Sequence, residues 1–434
     1  MTAVSHARVL RIAVPIVLSN ATVPLLGAVN VGVVGQLGLA APIGAVGIGA
    51  VILATLYWVF GFLRMGTSGL AAQARGAGDS RETTAVLMRA LAIAGAVGLA
   101  LILLQPLLFA AAFAVAPASD EVERLARAYL SVRIWGAPAT IALYAVEGWL
   151  LATERTRAIL AVQVLRNGAN IVLDLWFVLG FGWGVPGVAA ATLIAEWGGL
   201  ALGLWLCRGA FAGGLWRDRA LILNRARLAR MLAVNRDIMI RSVLLQLSFT
   251  AFIFLGARMG DVTLAANQIL LQFLEITAYA LDGFAFAAEA LVGVAVGARD
   301  VAGVRRAAVA TSQWGVAGAL ALGLLFWLAG PPIIDLMARA PEVRAEARVY
   351  LAWAALAPVI GIASWMFDGI FIGATLTREM VRAMVLSVAI YVAAVAILVP
   401  AFANHGLWAA LMVLNAARGL TMARLYHRAE LAAG

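Results

Sequence analysis

A twelve-span, all-helical integral membrane protein made of two homologous six-helix bundles is the fold this sequence predicts. Three observations carry that expectation. The chain is 64% hydrophobic and only 12% charged, with a mean hydropathy of +0.97. Apolar stretches of the ~20 residues that cross a bilayer recur along its whole length. Sequence landmarks in the first half return in the second at a constant shift. A composition this far from that of a soluble domain leaves the bilayer as the solvent in which such surfaces are satisfied.

The spans read at 12–34, 42–63, 84–110, 129–152, 158–181, 186–207, 236–257, 263–296, 307–329, 349–373, 382–402 and 405–424. The first follows a short basic lead, His6, Arg8 and Arg11, and runs past signal-peptide length without a small-residue cleavage site, so it is expected to remain as a helix. Pro15 and Pro24 each remove a backbone hydrogen bond from it and predict a bend. Arginine placement then sets orientation. Loops on the N-terminal side hold Arg75 and Arg81, Arg155 and Arg157, six arginines between 208 and 232, then Arg299, Arg305, Arg306 and Arg378. The opposite loops hold few, or mix them with Asp and Glu. By the positive-inside rule both termini are cytoplasmic, which requires an even number of spans.

The repeat is explicit. EGWLLATERTR at 147–157 resembles DGIFIGATLTR at 368–378, QARGAGD at 73–79 resembles VAVGARD at 294–300, and Tyr129-Leu130 returns as Tyr350-Leu351, each pair 221 residues apart. GVAAA at 187–191 returns as GLWAA at 406–410, a shift of 219. These shifts define an N-lobe, 1–207, and a C-lobe, 233–434, joined by a cytoplasmic arginine-rich linker, 208–232. With six spans each, both lobes enter the membrane in the same orientation, and their pseudo-two-fold axis is expected along the membrane normal. Two bundles facing a central cleft are a transporter plan.

Composition excludes other classes. All 32 basic residues are arginine, so there is no Walker A lysine for ATP-driven transport and no Schiff-base lysine. The single cysteine, Cys207, forms no internal disulfide and is read as a packing residue. The three histidines, His6, His405 and His427, lie at span ends or in tails. No catalytic domain, resident metal or cofactor is expected, and the net charge of +10 belongs to membrane-flanking loops, not to nucleic-acid binding. A monomer is expected.

Polar groups inside the spans need a reason. Gln163, Asn167, Asn170 and Asp174 fall at i, i+4, i+7 and i+11 and form one stripe along the fifth span. Asp174 has Asn170 one turn earlier, and the short FGWGVPG connection brings Thr192 of the next span alongside. That environment suits a carboxylate that exchanges a proton or holds a cation such as sodium; the alternative is a static network fixing helix packing. Glu275, Asp282 and Glu289, seven residues apart in the eighth span, read equally as a secondary proton path or as partners of arginines such as Arg241. Glu147 and Asp368 are repeat mates before a glycine, pointing to a shared helix-contact role. Trp58, Trp135, Tyr144 and Trp149 read either as cleft lining or as interfacial belts.

Five stretches carry a family resemblance: PIVLSNATVPLLGAVNVGVVGQLG (15–38), NIVLDLWFVLGFGWGVPGVAAATLIAEW (170–197), LNRARLARMLAVNRDIMIRS (223–242), AANQILLQFLEITAYALDGFAFAAEALVG (265–293) and FDGIFIGAT (367–375). They resemble the multidrug and toxic compound extrusion (MATE) family, in its DinF branch. The resemblance implies a V-shaped bacterial inner-membrane antiporter that expels cationic or amphiphilic compounds in exchange for protons or sodium ions, with Asn170, Asp174 and Thr192 on the family's polar cluster. One position departs: where the family carries an aspartate, in a sequence like LVDTAVVG, this chain reads AVNVGVVG with Asn30. Asparagine hydrogen-bonds but cannot ionise. Coupling of the family type then falls on Asp174 alone or on the eighth-span acids, and a coupling-impaired variant is the second reading. A lipid-linked precursor flippase of the same superfamily is a third, though the mid-span excess of acid favours cationic cargo. A major-facilitator transporter is disfavoured, since RGAGDSRETTA at 75–85 lacks that family's loop pattern. A non-transporting scaffold or sensor is the reading from another class.

Overall fold

The computed structural model describes residues 4–36, 40–115 and 118–434, with the side chains of 25, 27, 28, 30, 31, 34 and 40 also left aside. In chain order the helices are α1 (His6–Gly35), α2 (Ala40–Trp58), α3 (Phe62–Gly76), α4 (Ser80–Leu103), α5 (Gln105–Val115), α6 (Asp120–Arg133), α7 (Ala137–Ala152), α8 (Thr156–Asp174) and α9 (Gly184–Leu206). After short α10 (Arg208–Phe211) and α11 (Arg219–Ile222) come α12 (Arg225–Ala257), α13 (Asp261–Gly297), α14 (Val301–Met337), α15 (Pro341–Gly373), α16 (Thr377–Arg424) and α17 (His427–Leu431). Single 3-10 turns join α2 to α3 and α6 to α7, so each pair runs as one long rod.

Among the described residues eleven helical segments are long and apolar enough to cross a membrane. The twelfth is inside α16, which has 48 residues. At 1.5 Å per residue that is about 72 Å, more than two hydrocarbon cores of ~30 Å. The backbone breaks at Ala403 (φ 48°, ψ −126°), after Pro400, and the eleventh and twelfth predicted spans lie on either side. The break is anchored from α13: Asn267 exchanges hydrogen bonds with Asn404 at 2.8 and 3.0 Å and accepts the Trp408 indole N–H at 2.8 Å. Large apolar side chains such as Leu103, Leu107, Trp327, Leu328 and Ile397 point outward, as a hydrocarbon-facing surface requires.

By packing, Met1–Val17, Ala72–Gly78 and Leu232–Gly434 form one compact unit, and Leu18–Ala71 with Asp79–Met231 form another. Packing units concern contacts and repeat halves concern sequence, so their borders need not coincide. In the first unit α13 lies along α15, with α14 and α16 also packed on α15. Edge-to-face pairs Phe252–Trp408 (centroids 5.0 Å) and Phe273–Phe326 (4.9 Å) fill its core. In the second unit α4 packs on α7, α8 on α9, and α2 and α9 on α6.

The segment after α9 is docked in the second unit. Arg89, buried in α4, gives Nε to Ile222 O at 2.9 Å, Nη2 to Leu221 O at 2.7 Å and Nη1 to Glu82 Oε1 at 2.7 Å. It thereby covers carbonyls at the end of α11 that would otherwise lack partners. Arg81 pairs with Asp218 at 3.0 Å, and Arg227 closes on Glu82.

The backbone itself repeats. Left-handed φ occurs at Gly78 and Arg299, at Glu154 and Thr375, and at Gly182 and Ala403, three pairs each separated by 221. The caps follow: Asp79 accepts the Glu82 N–H at 2.8 Å, and Asp300 accepts that of Gly303 at 2.7 Å. Close helix approaches repeat too. A Cβ at Gly148 would run into the Arg64 carbonyl oxygen, and one at Gly369 into that of Ala285, the same pair moved by 221. The identities differ but the geometry returns, because the turn and the approach are what each half must preserve.

At the C-terminus, Arg305 donates from Nε and Nη2 to Glu430 at 3.0 Å each, which holds that carboxyl below its ordinary range. A depressed carboxyl contributes docking strength above its unfolded pKa and loses it as pH falls through the folded one. Acidification is therefore expected to speed amide exchange across 427–431 ahead of the spans, read by hydrogen–deuterium exchange. Gly148→Ala and Gly369→Ala should each cost about 1–3 kcal/mol by overpacking, measured as lowered unfolding midpoints of the purified protein.

Candidate functional site

The polar stripe of the fifth span is buried as one row. Gln163, Asn167, Asn170 and Asp174 on α8 are all buried, Asp174 with 0% exposure. Thr192 on α9 arrives as the short connection predicts: Asn170 Nδ2 donates to Thr192 Oγ1 at 3.1 Å, and that hydroxyl donates to Val188 O at 2.9 Å. The hydroxyl is therefore fixed, with its proton turned to the backbone and a lone pair offered to Asn170.

Further along the row, Asn167 Nδ2 donates to Thr22 Oγ1 of α1 at 2.7 Å, and Thr22 in turn donates to Ser19 O. Asn167 Oδ1 is buried and has no hydrogen-bond partner among the described residues. Thr22 was not singled out by sequence, since a lone threonine between two prolines carries no periodic signal. Asn30 falls in α1, but its side chain lies outside the described residues.

Immediately after Asp174 the helix widens into a π-helical turn, Leu175–Gly180, before the chain reverses. Trp176, Phe177, Phe181 and Trp183 cluster around that reversal, the closest pair, Phe177 and Trp183, with centroids 4.8 Å apart. A π turn at one carboxylate is a local departure of the kind found at functional positions, and sequence pattern does not announce it.

Arg133 is a cation whose charge acts on Asp174. It sits at the end of α6, bound to Glu196 of α9 at 2.7 Å, with both side chains 9% exposed. Tyr129 Oη lies 3.3 Å from Arg133 Nε, and Tyr57 Oη donates to the Arg133 carbonyl at 3.4 Å. Gly136 leaves the space for Glu196, since a Cβ there would collide with Oε2. Glu196 is thus an ion-pair member with Arg133.

The remaining candidates are distributed. On α13 Glu275 is exposed, Asp282 half-buried and Glu289 buried, so the seven-residue spacing gives three different environments. Trp58 and Trp135 are exposed and Tyr144 half-buried. Trp149 is packed within its unit, its indole N–H donating to Thr83 O at 3.0 Å. Cys207 is a buried free thiol.

A polytopic helical membrane protein built on an internal repeat, with a buried polar row that ends on a carboxylate, has the architecture of a transporter. The MatE family matches residues 15–176 and again 238–398, once in each half, and the chain belongs to that family, MATE. It is 40% identical over 421 residues to DNA damage-inducible protein F of Escherichia coli (strain K12), covering 96% of this chain and 91% of that protein. Protein DETOXIFICATION 44, chloroplastic, of Arabidopsis thaliana is 26% identical over 94% of this chain and 80% of its own length. Among solved structures, the Vibrio cholerae MATE transporter VcmN in its bent form superposes with a TM-score of 0.87 over 99% of this chain and 97% of that one, at 19% identity. An outward-facing multidrug resistance MATE family transporter of the MOP superfamily also gives 0.87, over 98% and 96%, at 20% identity. At those identities the likeness concerns fold.

Arg133→Met or Glu196→Gln alone strands one buried charge, and each is expected to cost about 3–5 kcal/mol. The double replacement should cost less than the sum, a coupling read by a double-mutant cycle on unfolding midpoints.

Proposed function

We propose that this chain is a multidrug efflux antiporter of the cytoplasmic membrane, exporting organic cations or amphiphiles in exchange for protons. The observation that carries the reading is Asp174: a fully buried carboxylate at the end of a row of fixed amide and hydroxyl groups. A relative at 31% identity over 69% of this chain and 66% of its own length, from Deinococcus radiodurans, is named a probable multidrug resistance protein NorM, which supports the same cargo class.

The chemistry follows from charge. An ionised carboxylate inside a span costs about 2.5–3.5 kcal/mol on insertion scales unless something neutralises it. A proton or a cation can do so, and the two compete for one site. Loading from one side with the first and from the other with the second is exchange. Sodium is the alternative coupling ion, and Asn170 and Thr192 supply neutral oxygens of the kind such a cation accepts.

Asn30 sets the stoichiometry. Because asparagine cannot ionise, one carboxylate carries one proton per cycle. Exchange against a monovalent cation is then electroneutral, and a pH gradient of one unit, worth about 1.4 kcal/mol, sustains about a tenfold cargo gradient.

The test is efflux of a fluorescent lipophilic cation from proteoliposomes. Transport is expected under an imposed pH gradient, to be insensitive to an imposed potential, and to be abolished in Asp174→Asn. Equal transport by the wild type and Asp174→Asn would overturn the assignment and move coupling to Glu275, Asp282 and Glu289. Activity appearing only in Asn30→Asp would establish the second reading, a coupling-impaired member of the family.

A further inference from the structure

Where α9 ends, two arginines converge with no acid between them. Arg155, in the turn before α8, donates from Nη1 to Leu206 O at 2.6 Å, and Arg208, which opens α10, donates from Nη1 to Trp205 O at 3.3 Å. The two guanidinium groups thus stand on neighbouring carbonyl oxygens of the last turn of α9. Both residues are exposed, and among the described residues neither has a carboxylate partner; Glu154, beside Arg155 in the chain, forms no ion pair with it.

The acids of α4 and of the docked segment are already taken. Asp218 pairs with Arg81, and Glu82 receives Arg89 and Arg227. Like charges brought together repel, and each of the two guanidinium groups has given one N–H of the five it carries. An anion seated between them answers both conditions.

The depth is that of lipid head groups. α9 has 23 residues, about 35 Å at the helical rise and slightly more than a ~30 Å hydrocarbon core, so its last turn leaves the hydrocarbon. Arg208 lies over the Trp205 ring, its Cζ 4.3 Å from the centroid, and Trp205 is 57% exposed. Arg217 repeats the arrangement on exposed Trp216 at 4.5 Å. Paired tryptophan and arginine are what the boundary between hydrocarbon and head groups favours.

An apolar track leads away from the arginines along α9. Ile194, Trp197, Gly198, Ala201 and Trp205 are exposed and recur at helical spacing on one face. A Cβ added at Gly198 would meet nothing within 4 Å, so Gly198 and Ala201 leave an open floor between Trp197 and Trp205. Trp197 precedes Arg208 by 208 − 197 = 11 residues, roughly 16 Å, which is about one leaflet of the core. An anion at the head and a track of leaflet length below it describe an acidic lipid.

We propose that Arg155 and Arg208 hold the phosphate of one anionic phospholipid of the surrounding bilayer, with an acyl chain lying along the α9 track. Phosphate oxygens match two guanidinium forks. The head group must be net negative, because a choline or ethanolamine cation would meet the same two arginines. Bound there, the lipid ties the turn before α8 to the start of the docked segment. The site uses neither Asp174 nor ion coupling, so it stands or falls apart from the exchange reading.

The test is native mass spectrometry of the full chain released from micelles that hold equal amounts of phosphatidylglycerol and phosphatidylcholine. One retained phosphatidylglycerol, favoured about tenfold or more over phosphatidylcholine, is expected. Arg155→Gln with Arg208→Gln should remove the preference, whereas Arg299→Gln with Arg378→Gln, which takes the same charge from the same arginine-rich side, should keep it. Gly198→Phe fills the track without touching the arginines and should weaken retention about threefold or more. Equal retention of the two lipids by the wild type overturns the proposal, as does a preference that both arginine pairs reduce alike, which is general surface charge. Retention by Gly198→Phe equal to wild type, or displacement of the lipid by millimolar inorganic phosphate, makes this a site for free anions and overturns it as a lipid site. If the Arg155 and Arg208 double variant does not assemble, Arg208→Gln alone, Gly198→Phe and the wild-type comparison of the two lipids decide it.

Discussion

Charge inside hydrocarbon must be answered by an opposite charge or given up, and much of this fold is arranged around that demand. Glu196 has Arg133, and Asp368 has Arg241 and Arg418. Arg166 and Arg64 act on Glu147. Each answer joins separate helices, so the same contacts that neutralise charge also set which helices are neighbours. Arg133, whose charge also acts on Asp174, is itself bound to Glu196. On the proposed reading Asp174 is the carboxylate whose charge is answered by a mobile ion.

Much of the fold was legible because its causes are local and repeated. Span lengths follow from the thickness of hydrocarbon, and the stripe Gln163, Asn167, Asn170 and Asp174 follows from helical period alone. Thr192 was found because a seven-residue connection leaves little choice of neighbour. What escaped the sequence depends on tertiary placement. The π turn after Asp174 has no periodic signature. Thr22 enters the site only because α1 passes beside α8. Arg418 carries no sequence pattern that marks it, yet it is buried against Asp368 across 50 residues. The arginine-rich segment after α9 read as a linker between the repeat halves, and it is bound to α4 through backbone carbonyls that no composition reveals.

The repeat explains why the two halves share a skeleton without sharing a site. Left-handed turns and close glycine contacts return at 221 because they shape the bundle. The polar row does not return: at that shift Asn167, Asn170 and Asp174 fall on Val388, Tyr391 and Val395, and at the 219 shift of the next span Thr192 falls on Leu411. One half kept a polar row with an ionisable end, and the other filled the same positions with core.

The arginines show how such divergence proceeds under a fixed physical demand. Glu147 and Asp368 are counterparts, and each is answered by two arginines, but the arginines are not counterparts. On α8, Arg166 lies against Gly199 of α9, where a Cβ would come within 3.3 Å of its Cβ. The counterpart of Arg166 is Ser387, and the counterpart of Gly199 at the 219 shift is Arg418. The long cation and the small residue have exchanged helices, so the guanidinium reaches the acid from the other side of the same interface. Arg64 and Arg241 likewise have Ala285 and Asn20 in the equivalent positions. The acid is the invariant of the repeat and the cations are its movable complement.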